Sequence, residues 1–252
     1  MIDGQPDVFT FRAVAIARTP FREKFGIPRQ SGLVEEATAR IELVPPFDRA
    51  EAFREIGGFS HLWLLWVAHR AAGDLKSMTV RPPRLGGNRK VGVFASRSPF
   101  RPNPVGLSVV RLLESDTGAR PPALVVAGAD LLDGTPVIDI KPYLPYADAV
   151  PDASGGFAQL APDRVFAVTF SPAAEAFLDQ RGDGGHLRAL VTRLLELDPR
   201  PAYREQEAAA YAFRVEDVDV RWRVDGDRIE VTGFNAADPA EQKDPPVGRE
   251  GG

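Results

Sequence analysis

The 252-residue chain contains no cysteine, which excludes a disulfide framework, a thiolate nucleophile, sulfur-held zinc and an iron-sulfur cluster. Histidine is scarce: His61, His69 and His186 are the three, no two of them spaced i,i+4, so no zinc or other metal site is expected. Long apolar runs are missing. The longest, residues 62–68, is far shorter than the ~20 residues a membrane helix requires. Residues 1–12 carry acids before any base and no apolar core, so a signal peptide is not expected there and a cytoplasmic location is. The nucleotide signatures are absent too: no G-x-G-x-x-G, no Walker lysine, no G-x-S-x-G elbow. The glycines between 182 and 185 fall between two expected helices.

What the chain has in quantity is turn formers, with 23 glycines and 23 prolines, in an otherwise ordinary globular composition of 44% hydrophobic and 26% charged residues. Its net charge of −4 conceals an asymmetry. Residues 1–111 hold 17 basic and 10 acidic side chains, residues 112–252 hold 14 and 25. The segment 81–111 contains seven bases (Arg81, Arg84, Arg89, Lys90, Arg97, Arg101, Arg111) and no acid. Such a run suits a polyanion or carboxylate partner at one place, or else a solvated basic face.

Short β-branched and aromatic segments at 9–18, 39–44, 91–95, 107–113, 123–128 and 137–140 read as strands. Residues 59–68 are nearly continuous in large apolar side chains and read as a strand covered on both faces. His61 and His69 flank it, eight apart and on one face of a regular strand; bordering histidines of this kind serve as hydrogen-bonded structural residues or as ligands. Asp48 and Glu51 look like a capping pair for a short helix ended by Gly57 and Gly58. Many strands without long intervening helices indicate a barrel or a sandwich. Beyond Asp148 the small-residue, proline-bearing stretch 149–163 reads as a linker. After it come a strand at 164–170, a helix at 172–180, an amphipathic helix at 186–197, and two strands, 211–224 and 228–234, turning at Asp225-Gly226. From Asn235 to the end the sequence is polar and reads as a disordered tail. Mainly β with a small α+β unit is the fold class, with units at 8–148 and 164–234.

The density of Pro, Gly and Arg in VRPPRLGGNRK and SRSPFRPNPVG is unusual: proline stiffens a loop, and arginine presents a planar fork to phosphate or carboxylate. These segments, together with PFREKFGIPRQSGLV, FSHLWLLWVAHR, DLLDGTPVIDIKPYLPYADA and LDPRPAYR, resemble the TsaA-like family in matching order from about residue 11 to 231. Departures are small: Arg70 follows His69, and Ser96 stands between Ala95 and Arg97. The resemblance implies an N-terminal β-barrel, S-adenosylmethionine as methyl donor bound near a homodimer interface, and methylation of N6 of N6-threonylcarbamoyladenosine beside the tRNA anticodon. It places cofactor contacts on Pro28, Arg29 and Gln30, on His69 and Arg70, on Arg97, on Leu107, and on Asp130, Leu131, Leu132 and Asp133. Carboxylates suit ribose hydroxyls or an ammonium, and a guanidinium suits a carboxylate. Read as residues alone, Asp130 and Asp133 in DLLDGT equally make a turn.

For the tRNA, Arg84, Arg89, Lys90 and Arg101 are the candidate phosphate contacts, with Arg22, Lys24 and Arg29 as the alternative path. Asp198, Arg200 and Tyr203 form a polar knot that is either a helix terminator or part of the substrate site. No catalytic base stands out. Two other function classes fit the same residues: a sensor that binds S-adenosylmethionine or tRNA without turnover, and a hydrolase with magnesium on Asp130 and Asp133.

Overall fold

The computed structural model describes residues 8–71, 77–162, 166–200 and 210–237. In chain order the first elements are β1 (Ala15–Arg18), β2 (Ala39–Leu43), β3 (His61–Val67), β4 (Thr79–Val80), β5 (Val91–Gly92), β6 (Val105–Asp116), β7 (Ala123–Ala127), β8 (Thr135–Pro142) and the single-turn helix α1 (Pro145–Asp148). Six strands close an antiparallel barrel in the order β1-β2-β7-β6-β3-β8, with β8 pairing back to β1. Closure leaves those strands no unpaired edge. The interior follows the period-2 pattern of each strand: Ala15 and Ala17, Ile41 and Leu43, Leu62 and Leu64, Val110, Leu124 and Val126, and Val137 are all buried.

Strand β3 therefore departs from the expectation of cover on both faces. Leu62 and Leu64 point inward, while Trp63 and Leu65 on the outer face are only half-buried, Trp63 resting on Tyr143 with ring centroids 5.9 Å apart. A barrel strand has one inside, whereas continuous apolarity suits a strand sandwiched between layers. His69 lies beyond the end of β3, in a turn, so the two histidines do not share a strand face. The expected strand at 9–18 begins only at Ala15, with Phe9 and Phe11 exposed. The expected cap at Asp48 and Glu51 is absent too. Arg49 precedes a 3₁₀ turn, Ala50–Phe53, without any side-chain cap. Glu55, left-handed at φ 65°, separates that turn from a second, Ile56–Gly58. Outside the barrel, β4 and β5 pair as a minimal hairpin and residues 93–95 turn as 3₁₀, making an arm of the proline-rich segment 77–104.

The remaining elements are β9 (Ala167–Phe170), α2 (Pro172–Asp179), α3 (Gly184–Glu196), β10 (Ala210–Val215), β11 (Val218–Asp225) and β12 (Arg228–Ala236). They build a sheet ordered β10-β11-β12-β9, with β9 parallel to β12. Helix α2 starts at Ser171, whose side chain accepts the Ala174 N–H, followed by Pro172 in the first turn. The span 211–224, a single strand by its sequence pattern, is a hairpin: Glu216 at φ 53° turns the chain between β10 and β11. No glycine marks that turn, which is why composition hid it. Asn235 and Ala236 belong to β12 rather than to a tail. Trp222, Phe213, Val220, Ile229 and Val231 of the sheet pack on Leu187, Leu190 and Leu194 of α3. Into this second core also run Phe21, Val34 and Ala37 from the segment between β1 and β2, so that segment joins the barrel to the sheet.

Across the β3/β6 ladder Trp66 lies opposite Gly106, where an added Cβ would sit 2.2 Å from the indole ring. Gly106→Ala must push the indole aside. It should cost roughly 1–3 kcal/mol of stability, the usual range for overpacking, read as a lower urea midpoint with unchanged slope.

Candidate functional site

The segment leaving β7 turns at Gly128 (φ 77°), where a Cβ would come 3.1 Å from the backbone of Gly32. Gly32 N–H donates to the Gly128 carbonyl at 2.9 Å, drawing the 28–32 loop onto the barrel end. Asp130 follows. Its Oδ1 accepts from the hydroxyl of Ser108 at 2.6 Å, and Ser108, fully buried on β6, accepts from Trp66 Nε1–H at 2.9 Å. The backbone N–H of Ser31 also donates to Asp130. Burial pushes the Asp130 carboxyl up to about 6, against the hydrogen bonds from Ser108 and Ser31 and the charge of Arg97, which pull it down.

Arg97, exposed on the arm, donates to Gln30 Oε1 at 2.7 Å. Gln30, Arg97 and Asp130 of the expected set thus come together, with Pro28 buried beneath the loop. Arg29 turns the other way: its Nη2 reaches the carbonyls of Asp198 (3.4 Å) and Arg200 (3.3 Å) past the end of α3. There Arg200, itself buried, binds both oxygens of Asp198 at 2.8 and 3.0 Å and lies over Phe166. That is the geometry of a helix terminator. Tyr203 lies outside the described residues.

His69 and Arg70 occupy the turn after β3, where Lys24 Nζ donates to the Arg70 carbonyl at 2.9 Å. Desolvation, with the neighbouring charges of Arg70 and Lys24, holds the His69 imidazole below its usual range, so it is neutral at neutral pH. His61 sits with Nδ1 2.9 Å from Ser60 Oγ and its ring edge toward Tyr143. Leu107 projects from the face of β6 opposite Ser108 and is 49% exposed. Leu131 is fully buried in the barrel core, and the Leu132 carbonyl accepts from Thr135 Oγ1 at 2.6 Å. Asp133 accepts the Thr19 N–H at 3.0 Å and pairs with Arg22. The two carboxylates of DLLDGT are therefore committed to different partners. Asp133 and Arg22 open instead to a cleft of about 720 Å³ whose far wall carries Arg181, Asp183 and Asp217. Of the basic candidates, Arg89 and Lys90 are exposed, Arg84 donates to the Leu160 carbonyl, and Arg101 braces the arm through the Ser96 carbonyl at 3.1 Å.

Around Asp130 the chain assembles an anionic acceptor, a guanidinium donor and, one strand face away, an apolar patch. That set suits a ligand with hydroxyl or ammonium donors, a carboxylate and an apolar ring. Ser108, Trp66 and Ser31 are not evident from sequence. Inward alternation on β3 and β6 is a signal for the first two, but nothing in the linear order joins positions 66, 108 and 130.

The raised Asp130 carboxyl has a consequence for stability. Its folded value of about 6 exceeds the ~3.9 of an unfolded aspartate. The contribution it makes is therefore complete below pH ~4 and is lost as pH rises through 6. Asp130→Asn does not titrate, so its stability relative to the parent should improve from pH 4 to 7 and then level off. Ser108→Ala removes a donor to the carboxylate and should carry the titration further upward. Urea unfolding across pH 4–8 checks both, and a pH-independent difference for Asp130→Asn would contradict the burial argument.

Two family profiles match in order, the N-terminal domain of tRNA-methyltransferase O over residues 16–149 and the TrmO C-terminal domain over 163–237. A tRNA (adenine(37)-N6)-methyltransferase of Escherichia coli K12 is 45% identical over 226 residues, 88% of this chain and 96% of the relative. A putative S-adenosylmethionine-dependent methyltransferase of Pseudomonas aeruginosa PAO1 is 47% identical, covering 83% of this chain and 90% of that protein. A crystal structure of TrmO from Pseudomonas aeruginosa superposes with a TM-score of 0.75 at 37% identity, over 93% of this chain and all of the other. With barrel, second sheet and both profiles in register, the chain belongs to the tRNA-methyltransferase O (TrmO) family.

Proposed function

We propose that this protein methylates N6 of N6-threonylcarbamoyladenosine, the purine 3′ of the tRNA anticodon, with S-adenosylmethionine as donor. The observation that carries the reading is the cluster of Asp130, Gln30 and Arg97 at the end of a barrel whose relatives include proteins named tRNA (adenine(37)-N6)-methyltransferase. When bound, S-adenosylmethionine would supply a sulfonium methyl: the S–CH3 bond breaks as N6–CH3 forms, S-adenosylhomocysteine leaves and the N6 proton passes to water, a displacement that needs neither a metal nor a covalent enzyme intermediate. Asp130 would accept from ribose hydroxyls or the ammonium, Arg97 would take the methionine carboxylate, and Leu107 would cover the adenine. Pro28, Arg29 and Gln30, His69 and Arg70, and Leu131 to Asp133 complete the proposed cofactor set. Several of these act through the loop and turn they hold. Positioning and exclusion of water are what the chain contributes; orientation of two reactants is worth on the order of 7–11 kcal/mol.

The units we propose are a cofactor-binding barrel at 8–148, a connection at 149–163 and an α+β unit at 164–234. The protein is proposed to act in the cytoplasm as a homodimer. Support for the dimer is the outer face of β3 and β6, where Trp63, Leu65 and half-exposed Leu107 form an apolar strip bordered by Lys141, Asp139 and Arg111. Tritium transfer from methyl-labelled S-adenosylmethionine into tRNA bearing the threonylcarbamoyl group, and none into tRNA lacking it, is the expected result. Binding of donor and tRNA without transfer would make this a sensor. Light scattering should give twice the 27.4 kDa chain mass, and a stable monomer would remove the dimer.

The tRNA backbone is proposed to run along the arm, on Arg84, Arg89, Lys90 and Arg101; Asp198, Arg200 and Tyr203 are proposed to contribute to the substrate site as well, Asp198 and Arg200 while also ending α3. Removing one cation from a phosphate should lower the slope of log affinity against log salt by roughly 0.7–0.9. Arg89→Ala and Lys90→Ala should show that decrease with cofactor affinity unchanged, whereas Arg97→Ala should weaken cofactor binding first. Salt titration beside calorimetry separates the two behaviours. Unchanged slopes would move the path to Arg22, Lys24 and Arg29.

A further inference from the structure

The arm carries two side chains that its positive charge does not explain. Phe94 is 74% exposed and Phe100 60%. Both stand on stiff backbone. Val93, beside the first, is buried, and its carbonyl accepts from the N–H and hydroxyl of Ser96. The Phe100 N–H donates to Ser98 Oγ at 3.3 Å, Arg101 ties back to the Ser96 carbonyl, and Pro99, Pro102 and Pro104 fix the chain around it. The rings are thus held out in water by an ordered loop. Between them in sequence stands Arg97, whose bond to Gln30 fastens the arm to the loop around Asp130. The segment's own charge is of one sign: residues 81–111 contain no acid, and among the described residues Arg84, Arg89, Lys90, Arg97 and Arg101 make no ion pair.

A partner for this surface must offer flat apolar faces and negative charge together. On a two-fold axis, where residue i meets j and j meets i, a second copy would cover the rings only by setting an acidic patch of its own against each arm, and dissociation of the dimer in the test below is the outcome that would show it. Single-stranded nucleic acid meets both needs, because unpaired bases stack on aromatic rings while the phosphates meet the cations of the arm. An enzyme that takes a target base into its site from a single-stranded loop leaves the neighbouring bases without that stacking partner. We infer that Phe94 and Phe100 are stacking platforms for unpaired nucleobases flanking the target nucleotide in the anticodon loop, placed beside the methyl-transfer site by the Arg97–Gln30 contact. This rests on the proposed function.

The test uses the full chain and an anticodon stem-loop RNA carrying the threonylcarbamoyl group, with affinity, salt slope, cofactor affinity and light scattering measured for the parent, Phe94→Ala, Phe100→Ala and Phe94→Trp. Each alanine variant should bind the RNA roughly 5- to 150-fold more weakly, the loss of one stacked base. The salt slope and the cofactor affinity should stay as in the parent. Phe94→Trp should retain affinity, and its added indole emission should be quenched on RNA binding. Alanine variants that bind RNA like a parent that binds and methylates it would overturn the inference alone. So would alanine variants that dissociate the dimer, because the rings would then cover a second copy. A parent that neither binds nor methylates the RNA would overturn the functional reading and this inference with it.

Discussion

A carboxylate withdrawn from water must be met by donors, and at the open end of this barrel the hydrogen bond from Ser108 to Asp130 meets that need. Its geometry reaches back into the fold. Ser108 can face Asp130 only because β6 presents it inward, and its own oxygen is oriented by the Trp66 indole from the neighbouring strand. The indole in turn occupies space that any side chain at position 106 would take. Gly106, Trp66, Ser108 and Asp130 therefore form one dependent series across β3, β6 and the segment after β7. The donors do not fully offset the burial, so the carboxyl titrates near 6. A group kept ionised at neutral pH yet incompletely compensated is suited to a ligand that brings the missing donors.

The segment between β1 and β2 does for the loop what that series does for Asp130. Phe21, Val34 and Ala37 anchor it in the core of the second sheet, Thr19 and Gly32 fasten it to the Asp133 and Gly128 turns, and Arg29 grips the carbonyls past α3. Ser31, which donates to Asp130, and Gln30, which accepts from Arg97, are thus held from both sides. Among the described residues the C-terminal sheet supports the loop through this buttress, and the Asp198–Arg200 pair, whose carbonyls receive Arg29, adds to it.

What is legible in the sequence and what is hidden follow from the range of each interaction. Strand positions are plain where a short apolar or alternating run is bounded by turn formers, as at Ala123–Ala127 and Ala39–Leu43. Barrel closure is not, since the return of β8 to β1 joins residues some 120 positions apart and leaves no local pattern. The hairpin at Glu216 is concealed because a glutamate takes the left-handed position where a glycine would have announced a turn. Asp48 has the right residue type for a cap, yet a cap depends on a helix, and the left-handed Glu55 cuts this one into separate turns. The family motifs point to Asp130 and Arg97. They point to Gln30 too, but that Gln30 holds Arg97 and that Ser108 holds Asp130 requires the three-dimensional register.

The charge asymmetry takes on a physical meaning once partners are assigned. In the acidic part of the chain the charges consume one another: Arg181 with Asp183 and Asp217, Arg188 with Glu175, Arg214 with Asp219, Arg223 with Glu230. Exposed pairs of this sort add little stability, but they cancel the local field. The cations of the arm are spent differently, Arg84 and Arg101 on backbone carbonyls and Arg97 on an amide, which orients each guanidinium without neutralising it. A protein of net negative charge thereby keeps a basic segment whose cations form no ion pair at Arg84, Arg89, Lys90, Arg97 and Arg101 among the described residues, and a polyanion is attracted there. Electrostatics then sets where the nucleic acid approaches, and the rigid proline-rich backbone sets how it must lie when it arrives.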